Sequence, residues 1–305
     1  MDSEIVRGHA AALFTALVWG TTFISTKLLL TRFSPIEILF LRFLLGYAAL
    51  LLACPRKLAI TDKRQELTFA AAGLCGVTLY YLLENIALSL SLASNVGVIV
   101  SVAPCFTALL MWALPSERQR PGGHFLLGFV LAMAGIVLIS VNGSQLQLNP
   151  AGDLLAVLAA VAWAFYSVLT KRIGSYGYPV LLTTRRIFFY GTVFMLPVLP
   201  VFGFSPDTSA LTQPLYIFNF LFLGLVACAA CFVTWNYAVS LLGPVKTSVY
   251  IYLVPVITIA ASALILGEPI TPLAAIGAAL TLLGLVLSQR RGVSPQPAPA
   301  EEEKE

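Results

Sequence analysis

Two similar stretches of sequence, one in each half of the chain, decide the fold. Residues 18–43 read "VWGTTFISTKLLLTRFSPIEILFLRF", and residues 162–187 read "AWAFYSVLTKRIGSYGYPVLLTTRRI". At a constant offset of 144 residues, aromatic, polar, charged and proline positions coincide. The matching pairs are Trp19 with Trp163, Thr26 with Thr170, Lys27 with Lys171, Pro35 with Pro179 and Arg42 with Arg186.

A second pair of stretches matches at an offset of 151 residues. Residues 85–117, "NIALSLSLASNVGVIVSVAPCFTALLMWALPSE", correspond to residues 236–268, "NYAVSLLGPVKTSVYIYLVPVITIAASALILGE". Identical residues in this pair are Asn85 and Asn236, Ser89 and Ser240, Pro104 and Pro255, Thr107 and Thr258, and Glu117 and Glu268. Chance similarity between apolar segments does not keep such residue types in register twice, so the chain contains an internal repeat.

The repeat predicts how the chain is organised. Residues 1–145 form the first repeat and residues 146–291 the second. Residues 292–305 are Pro-rich and then acidic, with nothing to bury, so we expect a disordered cytoplasmic tail there.

The composition is typical of a membrane protein. Of the 305 residues, 59% are hydrophobic and 10% are charged, with a mean hydropathy of +0.90. A soluble domain carries about 25% charged residues. Apolar stretches of about 20 residues, long enough to cross a bilayer as a helix, recur along the chain. We therefore predict an all-α membrane protein with ten transmembrane helices, at 9–30, 35–53, 68–90, 93–114, 123–141, 152–171, 179–200, 215–241, 245–266 and 272–289.

The positive charges predict the orientation of these spans. Thirteen Lys and Arg residues flank the predicted spans on the side of the N-terminus, whereas Lys27 and Arg32 lie on the opposite side. Because cytoplasmic loops carry the excess of Lys and Arg, both termini are expected to be cytoplasmic. An even number of spans agrees with that expectation. We expect a multi-pass protein of the cell (inner) membrane.

Each repeat contains five predicted spans, an odd number, so the second repeat enters the membrane in the opposite sense to the first. Inverted repeats are the architecture of secondary transporters, in which two similar halves exchange conformations around a site at their interface. No G-x-x-x-x-G-K-[ST] motif for binding ATP is present, so energy for transport would come from a gradient or from none.

The repeated segments resemble the drug/metabolite transporter superfamily, in particular its ten-helix EamA-type branch. The resemblance is carried by "VWGTTFISTK", "SPIEILFLRFLLG", "ASNVGVIVSVAPCFTALL", "WNYAV" and "VPVITIAASALILGEPITPLAAIGAALTLLGLVL", and it covers about residues 9–289. It implies two inverted five-helix EamA-like repeats and export of small metabolites, often amino acids. It also implies a central cavity lined by the first, third, fourth, sixth, eighth and ninth spans.

Polar and aromatic residues inside the spans are candidates for the substrate site, because polar groups facing lipid are costly. Trp19, Thr22 and Thr26 lie on one face of the first span, and Trp163, Tyr166 and Thr170 repeat that face in the sixth. Packing between helices explains such faces equally well. The full set of predicted substrate-binding residues is Trp19, Thr22, Tyr80, Tyr81, Glu84, Asn85, Ser101, Trp163, Tyr166, Trp235, Asn236 and Tyr250.

Glu84 is the position at which the two repeats differ, because the offset of 151 residues places Trp235 opposite it. Three roles stay open for its carboxylate: an ion pair with Arg42, binding of a substrate amino group, or carriage of a proton. Arg42 and Arg186 are a matched pair near helix ends, where snorkelling or structural pairing is expected.

Pro104 and Pro255 are predicted hinges. Each falls inside a predicted span, where a proline removes an N–H group and frees a carbonyl one turn earlier. A static packing kink is the alternative. Their matched occurrence favours a hinge or cavity-lining role.

Together these observations predict a secondary transporter that exports small organic metabolites, amino acids or related compounds, by alternating access. A multidrug or nucleotide-sugar carrier is the alternative within the superfamily, and an intramembrane enzyme or receptor is the alternative outside it. No protease motif of paired Asp, Ser–His or H-E-x-x-H type is present, so no catalytic site is expected. We expect no cofactor, no metal site and no nucleic-acid partner. The expected partners are a small-molecule substrate and the lipid bilayer, with a homodimer left open.

Overall fold

The computed structural model describes residues 3–60, 62–90, 93–114, 121–140, 149–266 and 270–289. These residues are helical with short connections, and the described part of the chain contains no β-strand. The helices are α1 Ser3–Leu29, α2 Pro35–Ala53, α3 Lys63–Leu90, α4 Ala93–Val100, α5 Ala103–Ala113, α6 Gly123–Ser140, α7 Pro150–Gly174, α8 Val180–Met195, α9 Val198–Val201, α10 Pro214–Leu242, α11 Pro244–Ser248, α12 Leu253–Leu266 and α13 Pro272–Gln289.

Among the described residues, six helical stretches are long and apolar enough to cross a membrane. They are α1, α2, α3, α7, α10 and the stretch Pro244–Ala261. Ala103–Ala113, Gly123–Leu138 and Pro272–Ser288 are shorter apolar helices. Described helices overlap every predicted span, while the count of ten spans and their inverted order stay predictions. The predicted tail and the matched Glu117 and Glu268 lie outside the described residues.

Local sequence signals explain where several helices begin. α2, α7 and α10 each begin with a proline, whose missing N–H group costs nothing in the first turn. Asn149 accepts a hydrogen bond from the Gly152 amide at 3.0 Å before α7. Glu37, in the first turn of α2, accepts from the Ser34 amide at 2.8 Å and from the Ser205 amide at 3.0 Å. One buried carboxylate thus fixes two connecting segments.

Helices from the two halves of the chain pack against each other in matched pairs. α1 packs on the last part of α10 and on α12, and α7 packs on the last part of α3 and on α4 and α5. α2 packs on the middle of α10, as α8 packs on the middle of α3, and α6 packs along α13. The interior therefore forms between the halves rather than inside each of them.

Two π-helical segments occupy corresponding places in the halves. Leu74–Leu79 interrupts α3 and Phe222–Ala230 interrupts α10. Gly73 and Gly224 stand 151 residues apart beside or within these segments, at the repeat offset. A Cβ atom on Gly73 would lie 2.6 Å from the Ile187 carbonyl oxygen, and one on Gly224 would lie 3.1 Å from the Arg42 carbonyl oxygen. Both glycines therefore permit close approach of a helix from the other half.

The prolines predicted as hinges follow breaks in helical geometry. Residues 101–102 form a turn before α5, and Pro104 lies in the first turn of α5. A 3₁₀ segment, Val249–Tyr252, precedes α12, and Pro255 lies in the first turn of α12. The breaks correspond at the repeat offset, which gives each half one interrupted helix.

Candidate functional site

A cluster of aromatic side chains fills the middle of the helical interior. The ring centroids of Trp19 and Trp163 lie 5.3 Å apart, and those of Trp163 and Tyr80 lie 4.8 Å apart. Phe232 contacts both tryptophans from α10. Aromatic pairs at these separations add stability beyond the area that they bury. The matched tryptophans of the repeat therefore meet across the interface between the halves.

A cavity adjoins this cluster and contains most of the predicted site residues. Its interior volume is about 60 Å³, and the empty space including its open mouth is about 670 Å³. The lining residues are Trp19, Thr22, Phe23, Thr26, Arg42, Tyr80, Tyr81, Glu84, Asn85, Leu88, Gly97, Val100, Ser101, Trp163, Ile251 and Val254. Helices from both halves of the chain contribute to this wall.

Glu84 is an acidic residue in the wall of this cavity, on α3. Glu84 is 7% exposed, and its Oε1 atom accepts a hydrogen bond from the Tyr80 hydroxyl at 2.9 Å. Tyr80 lies one helical turn earlier, so the local helix geometry alone brings these groups together.

Arg42 lines the same cavity from α2. It is the eighth residue of this 19-residue helix and is 3% exposed, so it is buried near the middle of the helix rather than placed near a helix end. Its Nε atom donates to the Cys228 Sγ atom at 3.1 Å, and its guanidinium carbon lies 4.6 Å from the centre of the Tyr81 ring. Within the part of the chain that the structure describes, no ion pair joins Arg42 to Glu84. The first of the three roles open for Glu84 is therefore not observed.

Three further polar residues of the cavity bond to backbone groups. The Thr22 hydroxyl donates to the Trp19 carbonyl and the Ser101 hydroxyl to the Gly97 carbonyl, each at 2.7 Å. The Asn85 side-chain amide donates to the Pro35 carbonyl at 3.2 Å. Hydroxyl hydrogens satisfied by the helix leave oxygen lone pairs that can still accept from a ligand.

A second cavity lies where α7 ends, α8 begins and α10 nears its end, and it contains the repeat counterparts of Thr26 and Asn85. It is lined by Thr170, Ile173, Gly174, Gly177, Tyr178, Val180, Thr183, Ile187, Asn236 and Ser240. Asn236 accepts a hydrogen bond from the Tyr166 hydroxyl at 2.7 Å and donates to the Thr184 hydroxyl at 3.0 Å. Tyr166 is fully buried, so these bonds join α7, α8 and α10 between the two cavities.

In addition to Tyr166 and Asn236, four other residues predicted from the sequence do not line the first cavity. Trp235 is fully buried, with its ring centroid 5.0 Å from that of Trp19. The Tyr250 hydroxyl lies 2.7 Å from the Nδ1 atom of His9. Pro104 and Pro255 stand at the helix breaks described above.

Sequence reasoning missed the most informative member of the site, Arg42. Its position near the middle of an apolar helix was the signal that could have found it, because ionisable residues inside a membrane mark functional sites. The apolar wall residues Leu88, Val100, Ile251 and Val254 carried no signal, since most residues of such helices are of this kind.

Comparisons with known proteins give the site its context. The chain matches the model of the EamA-like transporter family over residues 6–141 and 150–289. It is 30% identical over 287 residues to an uncharacterized transporter of Archaeoglobus fulgidus, covering 92% of this chain and 96% of the relative. It is 28% identical over 284 residues to a probable terminal-alkyne amino-acid exporter of Streptantibioticus cattleyicolor, covering 92% of this chain and 93% of that protein.

A solved structure shares the fold. A protein crystal structure matches with a TM-score of 0.74 and 21% sequence identity, over 95% of this chain and 99% of that one. At this identity the match concerns the helical architecture alone.

Proposed function

The chain belongs to the EamA-like transporter family and is a multi-pass membrane transporter, and from this premise we propose that it exports amino acids or related small metabolites by alternating access. The observation that carries the proposal is the cavity between the two halves. It combines aromatic rings with one buried carboxylate and one buried guanidinium. Binding sites of secondary transporters lie at such interfaces.

Two features support an inverted repeat as the basis of alternating access. The halves pack in matched pairs, and each has one π-helical segment and one interrupted helix at corresponding positions. The two cavities contain matched residues, Thr26 and Asn85 in one and Thr170 and Asn236 in the other. A rocking motion that exchanges the two halves would close the first cavity and enlarge the second.

The relatives and the charges support the proposed direction and location of transport. A relative is named as a probable amino-acid exporter, which favours export of amino-acid-like compounds. The asymmetry of Lys and Arg favours insertion in the cytoplasmic membrane with both termini inside the cell. The homodimer stays a prediction.

The nucleotide-sugar alternative receives less support from the cavity. A diphosphate group would need several cationic donors. Among the described lining residues, Arg42 is the one cation, and Glu84 would repel an anion.

Flux measurements in reconstituted vesicles test the proposal. Purified protein in vesicles should exchange radiolabelled L-leucine or L-phenylalanine for the unlabelled compound, with and without an imposed pH gradient. A panel of 20 amino acids without any flux above protein-free vesicles would reject the proposal.

Glycine substitutions supply a matched control for this flux. A Cβ atom on Gly97, in the cavity wall, meets nothing within 4 Å, and neither does one on Gly123, outside the cavity. Gly97→Phe directs a large side chain from the cavity wall and should abolish flux, whereas Gly123→Phe should leave flux unchanged. Equal flux in the two variants would contradict transport through this cavity.

A further inference from the structure

We infer that Arg42 and Glu84 recognise the two charged ends of an amino-acid zwitterion: the guanidinium binds the α-carboxylate, and the carboxylate binds the α-ammonium. This inference rests on the proposed function and names the groups that select its substrate. It assigns roles to two oppositely charged side chains that attract each other in the wall of one cavity without forming a direct ion pair.

The first step is the burial of both charges without a direct ion pair. Arg42 is 3% exposed and Glu84 is 7% exposed, and both line the same cavity. A buried charge is costly unless it is paired or hydrogen-bonded. Opposite charges that line one cavity without a direct ion pair can each bind the complementary group of a zwitterionic ligand.

The second step is the hydrogen-bonding capacity that Arg42 retains. A guanidinium has five N–H donors in a planar fork, and here the Nε–H group is used by Cys228. Among the described residues, no acceptor is bonded to its two terminal nitrogens. These nitrogens present the paired donors that bind carboxylates in a bidentate manner.

The third step is the environment of Glu84. The Tyr80 hydroxyl occupies its Oε1 atom, and no donor among the residues described by the structure is bonded to Oε2. The rings of Tyr80 and Trp163, with centroids 4.8 Å apart, stand beside it. Aromatic faces attract ammonium groups, so the free oxygen and these rings together form a site for a primary amine.

The fourth step is a comparison of the two repeats. Arg186, the counterpart of Arg42, forms an ion pair with Glu66 and lies at least one third exposed outside the cavity. The counterpart of Glu84 is Trp235. Both arginines lie over aromatic rings. They differ in their hydrogen-bond partner, which is the Glu66 carboxylate for Arg186 and the Cys228 sulfur for Arg42.

The rest of the wall predicts which side chain the substrate carries. Besides these charges, the wall consists largely of aromatic and aliphatic groups, including Trp19, Phe23, Leu88, Val100, Ile251 and Val254. Apolar walls favour aliphatic or aromatic side chains through the area removed from water. We therefore assign α-amino acids with apolar side chains as the substrate class.

Binding to the purified full-length protein in detergent tests the inference with three probes. They are L-phenylalanine, its methyl ester, which lacks the carboxylate, and 3-phenylpropanoate, which lacks the amine. Each should compete with labelled L-phenylalanine, and loss of either charged contact should weaken competition about 10- to 100-fold, as expected for hydrogen bonds to charged groups.

Variants connect each end of the ligand to its residue. Arg42→Gln should abolish the preference for L-phenylalanine over the ester, and Glu84→Gln should abolish the preference over 3-phenylpropanoate. Arg42→Lys keeps the cation and should retain part of the first preference. Arg186→Gln, at the matched position outside the cavity, should retain both preferences.

The outcomes separate this inference from the proposed function. Amino-acid flux together with equal binding of the three probes, or with unchanged preferences in the Arg42 and Glu84 variants, would overturn the zwitterion assignment alone. Absence of amino-acid binding and flux in the wild type would overturn both. Loss of pH-gradient coupling in Glu84→Gln with its amine preference intact would assign Glu84 to proton carriage and likewise overturn its role here.

Discussion

The charged residues of the cavity wall, Arg42 and Glu84, connect the fold to the chemistry. Both lie on helices long and apolar enough to cross a membrane, where an ionisable side chain is expensive and usually functional. The two attract each other but form no direct ion pair among the described residues. Arg42 instead donates to Cys228 Sγ and lies over the Tyr81 ring, and Glu84 accepts from the Tyr80 hydroxyl.

Tyr80→Phe tests the positioning of Glu84. The substitution removes the hydroxyl that donates to Glu84 Oε1 at 2.9 Å but keeps the ring beside Trp163. Affinity for L-phenylalanine should fall about tenfold, the size expected for one hydrogen bond to a charged group. Equilibrium binding to the purified variant measures this change.

Tyr216→Phe is the matched control, because Tyr216 is buried against Phe33 and does not line the cavity. Its affinity should equal that of the wild type. Similar losses in the two variants would indicate a general effect of removing a tyrosine hydroxyl and contradict the positioning role.

At the scale of elements, the π-helical segments Leu74–Leu79 and Phe222–Ala230 decide how closely the halves approach. π-helical turns inside α-helices are uncommon and often accompany functional sites. Here Leu74–Leu79 precedes the part of α3 that lines the cavity, and Phe222–Ala230 precedes the part of α10 that contributes to the aromatic cluster. Each segment packs against a helix of the other half.

Gly73→Ala and Gly224→Ala should each destabilise the protein. A Cβ atom on Gly73 would lie 2.7 Å from the Gly191 amide nitrogen, and one on Gly224 would lie 2.6 Å from the Leu45 Cβ atom. Overpacking of this kind costs about 1–3 kcal/mol. Thermal unfolding in detergent should therefore show a lower midpoint for both variants.

Gly123→Ala provides the comparison for these variants, since its Cβ atom would meet nothing within 4 Å. Its midpoint should stay near that of the wild type, because Gly123 is the first residue of α6 and the added methyl group meets no neighbouring atom. Unchanged midpoints for Gly73→Ala and Gly224→Ala would show that the helices packed at these glycines can move apart with little loss of stability.

At the scale of the whole molecule, the matched packing of the halves makes a definite prediction about topology. With an even number of spans, fusions after Gln289 and before Ser3 should place reporters on the same, cytoplasmic side. A fusion within residues 203–213, between α9 and α10, should place its reporter outside the cell. Paired fluorescent-protein and alkaline-phosphatase fusions measure both locations, and reporters of the two termini on opposite sides would exclude ten spans.

The two cavities should be accessible from opposite sides of the membrane. Thr26 and Thr170 are repeat counterparts that line the first and second cavities. A membrane-impermeant maleimide should label Thr26→Cys in intact cells and Thr170→Cys in inside-out vesicles. The wild type, with its own five cysteines, supplies the background. Labelling of both variants from one side would be incompatible with an inverted repeat.

The sequence by itself determined the helical membrane class, the repeated positions and most of the candidate residues that share the cavity. The amino-acid composition and the hydrophobic periodicity of a segment are properties of that segment alone, so they can be determined without knowing which segments pack against it. Trp19, Thr22 and Trp163 were found in this way because a helical period places residues on a common face.

Only the tertiary structure placed Arg42 in the cavity wall and separated the two cavities. The Nε–H group of Arg42 meets a sulfur atom 186 residues away in sequence, on a helix of the other half. Asn85 and Asn236 look alike in sequence, yet one lines the first cavity and the other is bonded to Tyr166 beside the second. Helical periodicity fixes the direction of a side chain relative to its own helix. Which residues of another helix stand opposite depends on how the helices pack, and that is a property of the assembled chain.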